Sequence, residues 1–120
     1  MSPELAVIIP KIEALSEQCP HLECDGFTNV VTYLLTEAGI DHTCYKGHVS
    51  SGGMPAIPYH LWVEVGGYIL DYRCRMWLGE RLSVPHGCFL PSEYPDFGYS
   101  GVPTILDVPK LIYEFLIESD

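Results

Sequence analysis

Apolar residues recur at helical spacing in two N-terminal stretches, first Leu5, Ile8, Ile9, Ile12 and Leu15, then Phe27, Val30, Val31, Leu34, Leu35 and Ala38. The first stripe predicts a helix over residues 3 to 18, opened by Ser2, Pro3 and Glu4. Pro10 lies inside it and removes one backbone donor, which predicts a kink or a break into two pieces. The second stripe predicts an amphipathic helix with Gly39 just past its end and Cys24 and Asp25 at its start. A polar, proline-containing link from Gln18 to Glu23 joins the two.

Beyond residue 39 the period shortens. Thr43, Cys44 and Tyr45 read as strand, and Ser50 to Pro55 as a flexible or turn-rich loop that could border a substrate groove. From Tyr59 the residues alternate, and Gly66-Gly67 marks a tight hairpin. Counting outward from that turn pairs Val65 with Tyr68, Glu64 with Ile69, Val63 with Leu70 and Trp62 with Asp71. His60, Trp62 and Asp71 then share a face, with His60 and Asp71 diagonal to each other at about 7 to 8 Å, within side-chain reach.

Residues 72 to 78 are expected to continue as strand and 84 to 90 to form another, while 91 to 106, rich in Pro, Gly and Tyr, read as an ordered loop. Asp107 is expected to cap a final amphipathic helix carrying Val108, Leu111, Ile112, Phe115 and Leu116. The elements together predict an α+β domain, with N-terminal helices packed on one side of a short antiparallel sheet and a C-terminal helix closing the core.

Length narrows this to a single domain over residues 1–120, without repeats or linkers. A chain that is 48% hydrophobic and 18% charged is a packed globule, not a disordered tail. Sixteen acidic against six basic residues give a net charge of −10, a field that repels phosphate backbones and anionic lipid. Nucleic acid is not an expected partner; the charge serves solubility or favours neutral and basic substrates. No apolar run approaches the roughly 18 residues of a membrane span, so no membrane partner is expected. Five cysteines, an odd number, and an N-terminus without signal-peptide character fit reduced thiols in the cytoplasm.

Cys24, His60 and Asp71 supply the residue types that nucleophilic catalysis by a thiol requires. A helix N-terminus and a nearby imidazolium both favour the thiolate, whereas the adjacent Asp25 opposes it unless its carboxylate turns away or caps the helix. In such a cycle Cys24 attacks a carbonyl, His60 holds and returns the proton, and Asp71 fixes the imidazole tautomer. The Cys24 backbone N–H is the first candidate for an oxyanion hole. Gln18, six residues upstream, is a candidate second donor or a plain surface residue; its spacing resembles that of papain-like proteases. Trp62 could wall the site and contact substrate, or belong to the core. Arg73, with Arg75, could hold a substrate carboxylate, or form a solvated strand edge. The remaining His and Cys residues are scattered without paired metal-ligand spacing, so no metal and no cofactor are expected.

The segment Cys24 to Ala38, the run His60-Leu61-Trp62-Val63-Glu64-Val65-Gly66-Gly67 and the following Asp71 resemble the core of the transglutaminase-like superfamily, over roughly residues 20 to 75. The resemblance implies a papain-like fold with Cys24 as nucleophile, His60 as base and Asp71 as orienting acid. In size and hairpin the chain is similar to the small bacterial branch that includes lasso-peptide leader proteases. It departs from the pattern at Leu61, Tyr72 and Glu23, positions that bear on substrate more than on fold. The expected function is cysteine-dependent hydrolysis of amide bonds in a protein or peptide substrate, as a peptidase or glutamine deamidase. Amine transfer on the same thioester, or a non-catalytic peptide-binding or zinc-binding module, are the alternatives.

Overall fold

The computed structural model describes residues 1–118. Helix α1 spans Pro3–Gln18, and the Ser2 hydroxyl accepts the Leu5 N–H at 3.2 Å to close its N-terminus. It runs as one helix through Pro10, so of the expected kink or break the break does not occur. The carbonyl that loses its partner belongs to Ala6, which is exposed, so water can satisfy it. Helix α2 spans Cys24–Glu37 and buries Phe27, Val30, Val31, Leu34 and Leu35. It stops where expected: Gly39 has φ 69°, its N–H bonds Thr36, and the Ile40 N–H returns to Leu35 at 2.9 Å. Those two bonds form a Schellman motif, and Leu35 and Ile40 are both buried in the core, which anchors the end.

Among the described residues a five-stranded sheet follows, in the order β4-β3-β2-β1-β5 and antiparallel throughout. Strands β1 (Thr43–Ser51) and β2 (Met54–Val65) meet at a two-residue turn, Gly52-Gly53, both with positive φ. The loop expected over Ser50 to Pro55 is therefore mostly strand. Gly66-Gly67 joins β2 to β3 (Tyr68–Asp71), and the pairs Val65–Tyr68, Glu64–Ile69 and Val63–Leu70 are those the turn dictates. The β2–β3 pairing ends there, so the expected Trp62–Asp71 pair does not form, while Asp71 still pairs with Gly87 of β4 (Gly87–Phe89), a strand shorter than expected.

Residues after Asp71 do not continue as strand but coil into a short helix, α3 (Cys74–Leu78). The Asp71 side chain accepts the Arg73 N–H at 3.0 Å and so takes a donor a continuing ladder would need. The ordered loop expected over 91 to 106 resolves into a 3₁₀ turn, Pro91–Glu93, and an eight-residue edge strand, β5 (Phe97–Thr104), along β1. The final helix α4 covers Lys110–Glu118; its first turn hangs on the Pro109 carbonyl, which accepts from Ile112 and Tyr113, so it starts later than a cap at Asp107 implied.

One core joins α1, α2 and α4 to the sheet face carrying Cys44, Val63, Val65 and Leu70. The opposite face is covered by aromatic residues, with Trp62, Ile69 and Phe89 buried against Tyr45, Tyr94 and Tyr99. The architecture is thus α+β, with a radius of gyration of 13.5 Å against the ~14 Å of a close-packed chain of this length. No helix among the described residues is long and apolar enough to cross a membrane, and the structure shows no disulfide among the described residues.

Candidate active site

Cys24 is the first residue of α2, where the leading backbone N–H groups lack intrahelical acceptors and the helix dipole is positive. The neighbouring Asp25 is exposed, and its carboxylate accepts the Gly26 N–H at 2.8 Å. The acid is thus spent on its own helix, one of the two arrangements that relieve its opposition to a thiolate. Gly26 also leaves room for Leu22, whose Cδ2 would lie 3.0 Å from a Cβ there, so the link packs onto the first turn of α2.

His60 lies on β2 and is completely buried; its Nε2 stands 2.8 Å from Asp71 Oδ2. A carboxylate can only accept, so Nε2 carries the proton and the lone pair or second proton resides on Nδ1. Nδ1 is buried and makes no well-formed hydrogen bond of its own, and Cys24 is the remaining polar neighbour that acts on the ring. Burial alone would lower the imidazole pKa. The hydrogen bond and charge of Asp71, with those of Cys24, outweigh it and raise the value to about 9. Of the three residues Cys24 keeps the most solvent contact, 9% against 3% for Asp71 and none for His60.

Asp71 ends β3 with both carboxylate oxygens engaged. Besides His60, Oδ2 accepts the Tyr99 hydroxyl at 2.7 Å, and Oδ1 accepts the Arg73 N–H at 3.0 Å. Tyr99 belongs to β5, where the sequence suggested only a loop. The alternation Phe97, Tyr99, Gly101 was the available sign of a strand carrying that ring inward.

Trp62 does not present itself to substrate. It is 1% exposed, its Nε1 donates to Glu64 at 3.1 Å, and its ring packs against Tyr45 at 5.9 Å, His60 at 6.4 Å and Tyr99 at 5.0 Å. It shields the His60–Asp71 bond from water, and a low local dielectric strengthens that bond.

Arg73 likewise departs from both expectations, being neither a substrate clamp nor a solvated edge. It is buried, and all five guanidinium N–H donors are used: Nε to the Leu22 carbonyl, Nη1 to the Ser16 hydroxyl and the Tyr72 carbonyl, Nη2 to the Ser16 and Cys19 carbonyls. The cation also lies 4.5 Å from the centre of the Phe27 ring. Arg73 therefore ties the residues after Asp71 to the link that delivers Cys24. Gln18 sits exposed at the last position of α1, with that link between it and Cys24.

A cleft of about 570 Å³ opens beside this arginine, lined by Ser16, Glu17, Tyr72, Arg75, Met76 and His86 among others. Among the described residues no three His, Cys, Asp or Glu side chains gather into a metal-ligand set. Comparison of the chain with protein-family models, with curated proteins and with solved structures finds no match.

Proposed function

We propose that the protein is a cysteine-dependent hydrolase of amide bonds, a peptidase or glutamine deamidase with a papain-like, transglutaminase-like core, acting on a protein or peptide in a reducing compartment such as the cytoplasm. The observation that carries this reading is a buried imidazole whose Nε2 is held by Asp71 at 2.8 Å while Cys24, at a helix N-terminus, is close enough to act on the ring. A purely structural cross-strand His–Asp pair has no need of a cysteine there.

The Cys24 sulfur, as thiolate beside the His60 imidazolium, attacks the substrate carbonyl carbon, forming a C–S bond and an oxyanion. The Cys24 N–H, with Gln18 as proposed second donor, stabilises that charge. Collapse breaks the C–N bond as His60 gives its proton to the leaving amine, or to ammonia from a glutamine side chain, leaving a thioester. Water then loses a proton to His60 and displaces the sulfur, giving the acid. An amine in place of water gives transfer.

Iodoacetamide titration tests the assignment. At pH 6, where an ordinary thiol is almost wholly protonated, Cys24 is expected to alkylate at least about ten-fold faster than free cysteine, with that advantage lost in His60→Ala. Slow labelling indifferent to His60 would instead mark a groove that binds without turnover. Incubation with glutamine-containing peptides, followed by mass spectrometry, then separates backbone cleavage from a gain of one mass unit by deamidation.

A further inference from the structure

One oxygen of Asp71 serves two donors, the His60 ring at 2.8 Å and the Tyr99 hydroxyl at 2.7 Å. An acceptor oxygen shared in this way offers less charge to each donor than it would to one alone, and its orientation is fixed by both. The phenol is itself held by packing. Its ring meets Trp62 edge-on at 5.0 Å and lies 6.1 Å from Phe89, on a strand pressed close to β1. A phenylalanine would fill the same slot; what the tyrosine adds is the hydroxyl.

We propose that Tyr99 is a positioning residue of the triad: its hydroxyl aims Asp71 Oδ2 at His60 and limits how strongly that carboxylate retains the Nε2 proton, so that the imidazolium stays acidic enough to return a proton to a leaving amine. This role rests on the hydrolase reading of the same site.

The groups facing this chain of bonds come from four elements: Cys24 from α2, Asp71 from β3, Tyr99 from β5 and Cys74 from α3, with Arg73 and His86 feeling the Asp71 charge from further out. Cys74 is completely buried beside the Tyr99 hydroxyl, and burial together with the Asp71 charge pushes its pKa up to about 12. It therefore remains a neutral thiol beside the phenol while the phenol donates to Asp71. Burial, then the Asp71 and Cys74 charges, raise the pKa of Tyr99 itself, which keeps it a neutral donor.

The test reads the His60 ring by NMR across a pH titration, in protein carrying Cys24→Ala so that the imidazole titrates without a thiol partner. Tyr99→Phe should raise the His60 pKa by about half a unit or more, because Asp71 then holds the proton harder. Site-specific 3-fluorotyrosine at position 99, a stronger donor of nearly the same shape, should lower it. It carries the test by itself if the phenylalanine variant fails to fold. A His60 titration that ignores both changes, or moves down in Tyr99→Phe, overturns the proposal. Fast, His60-dependent alkylation in protein retaining Cys24, together with such indifference, would remove only the role of Tyr99. Slow alkylation would remove the hydrolase reading whichever way His60 titrates.

Discussion

The His60 imidazole is taken out of water, which disfavours its cation, yet its bond to Asp71 and the nearby Cys24 carry its pKa from 6.5 to about 9. A group whose pKa is raised by folding contributes stability that is complete below its unfolded value and lost as pH rises through the folded one. The melting temperature of the protein should therefore fall as pH is raised from 6.5 through 9. In Asp71→Asn the largest bond raising the pKa is weakened, and the fall should shrink. That variant should also lose about 2–4 kcal/mol at neutral pH, because His60, Tyr99 and the Arg73 N–H all bond the missing charge. Equal pH slopes for the two proteins in thermal melts would contradict the assignment of His60 as a stabilising cation. Cys24, His60 and Asp71 were legible as candidates because a helix start and a glycine turn locate them by counting. Arg73 was not: its acceptors lie on Ser16, Cys19 and Leu22, more than fifty residues earlier, and nothing in an arginine after an aspartate says whether it turns inward.

At the scale of elements, the legible parts are those whose geometry is fixed locally. The β2–β3 register follows from Gly66-Gly67, and the end of α2 follows from Gly39. Strand β5 was obscured by the residues that make it possible. Gly98, Gly101 and Pro103 read as loop, but Pro103 is tolerated on an edge, and Gly101 faces Gly47 across the ladder. A Cβ on Gly47 would run into the Ser100 carbonyl oxygen, and one on Gly101 into the Lys46 carbonyl oxygen and, at 2.9 Å, the Trp62 ring. The glycine pair thus lets β5 come close enough to bring Tyr99 onto Asp71. Gly47→Ala should cost about 3 kcal/mol or more, since backbone rather than a yielding side chain stands in the way. The alanine at Gly53, where no atom lies within 4 Å of a new Cβ, should cost less, its penalty coming only from the positive φ of 79°. Urea unfolding of the two variants ranks them; a cheaper Gly47→Ala would mean that β5 has freedom to withdraw, and with it Tyr99.

For the molecule as a whole the relevant quantity is the net charge of −10, set against the buried His60 imidazolium and the buried Arg73 guanidinium beside it. The His60 imidazolium is bonded to the Asp71 carboxylate and feels the nearby Cys24, so the proposed triad with its thiolate formed carries no net positive charge to draw an anion. Glu23, just before Cys24, is exposed and adds to the negative field there, and Cys24, though buried, keeps more solvent contact than His60 or Asp71. Two methanethiosulfonates that differ in the sign of a single charge measure this field directly at the sulfur. With each rate divided by its rate on a small free thiol, the cationic reagent should label Cys24 several-fold faster at ~10 mM salt, where the screening length of about 30 Å spans the molecule. At ~1 M salt that length falls to about 3 Å, and the two normalised rates should converge. A preference for the anionic reagent, or a ratio unmoved by salt, would mean that contacts at the sulfur outweigh the global field. The expected ratio would instead direct the search for substrate toward peptides that are neutral or basic around the reacting amide.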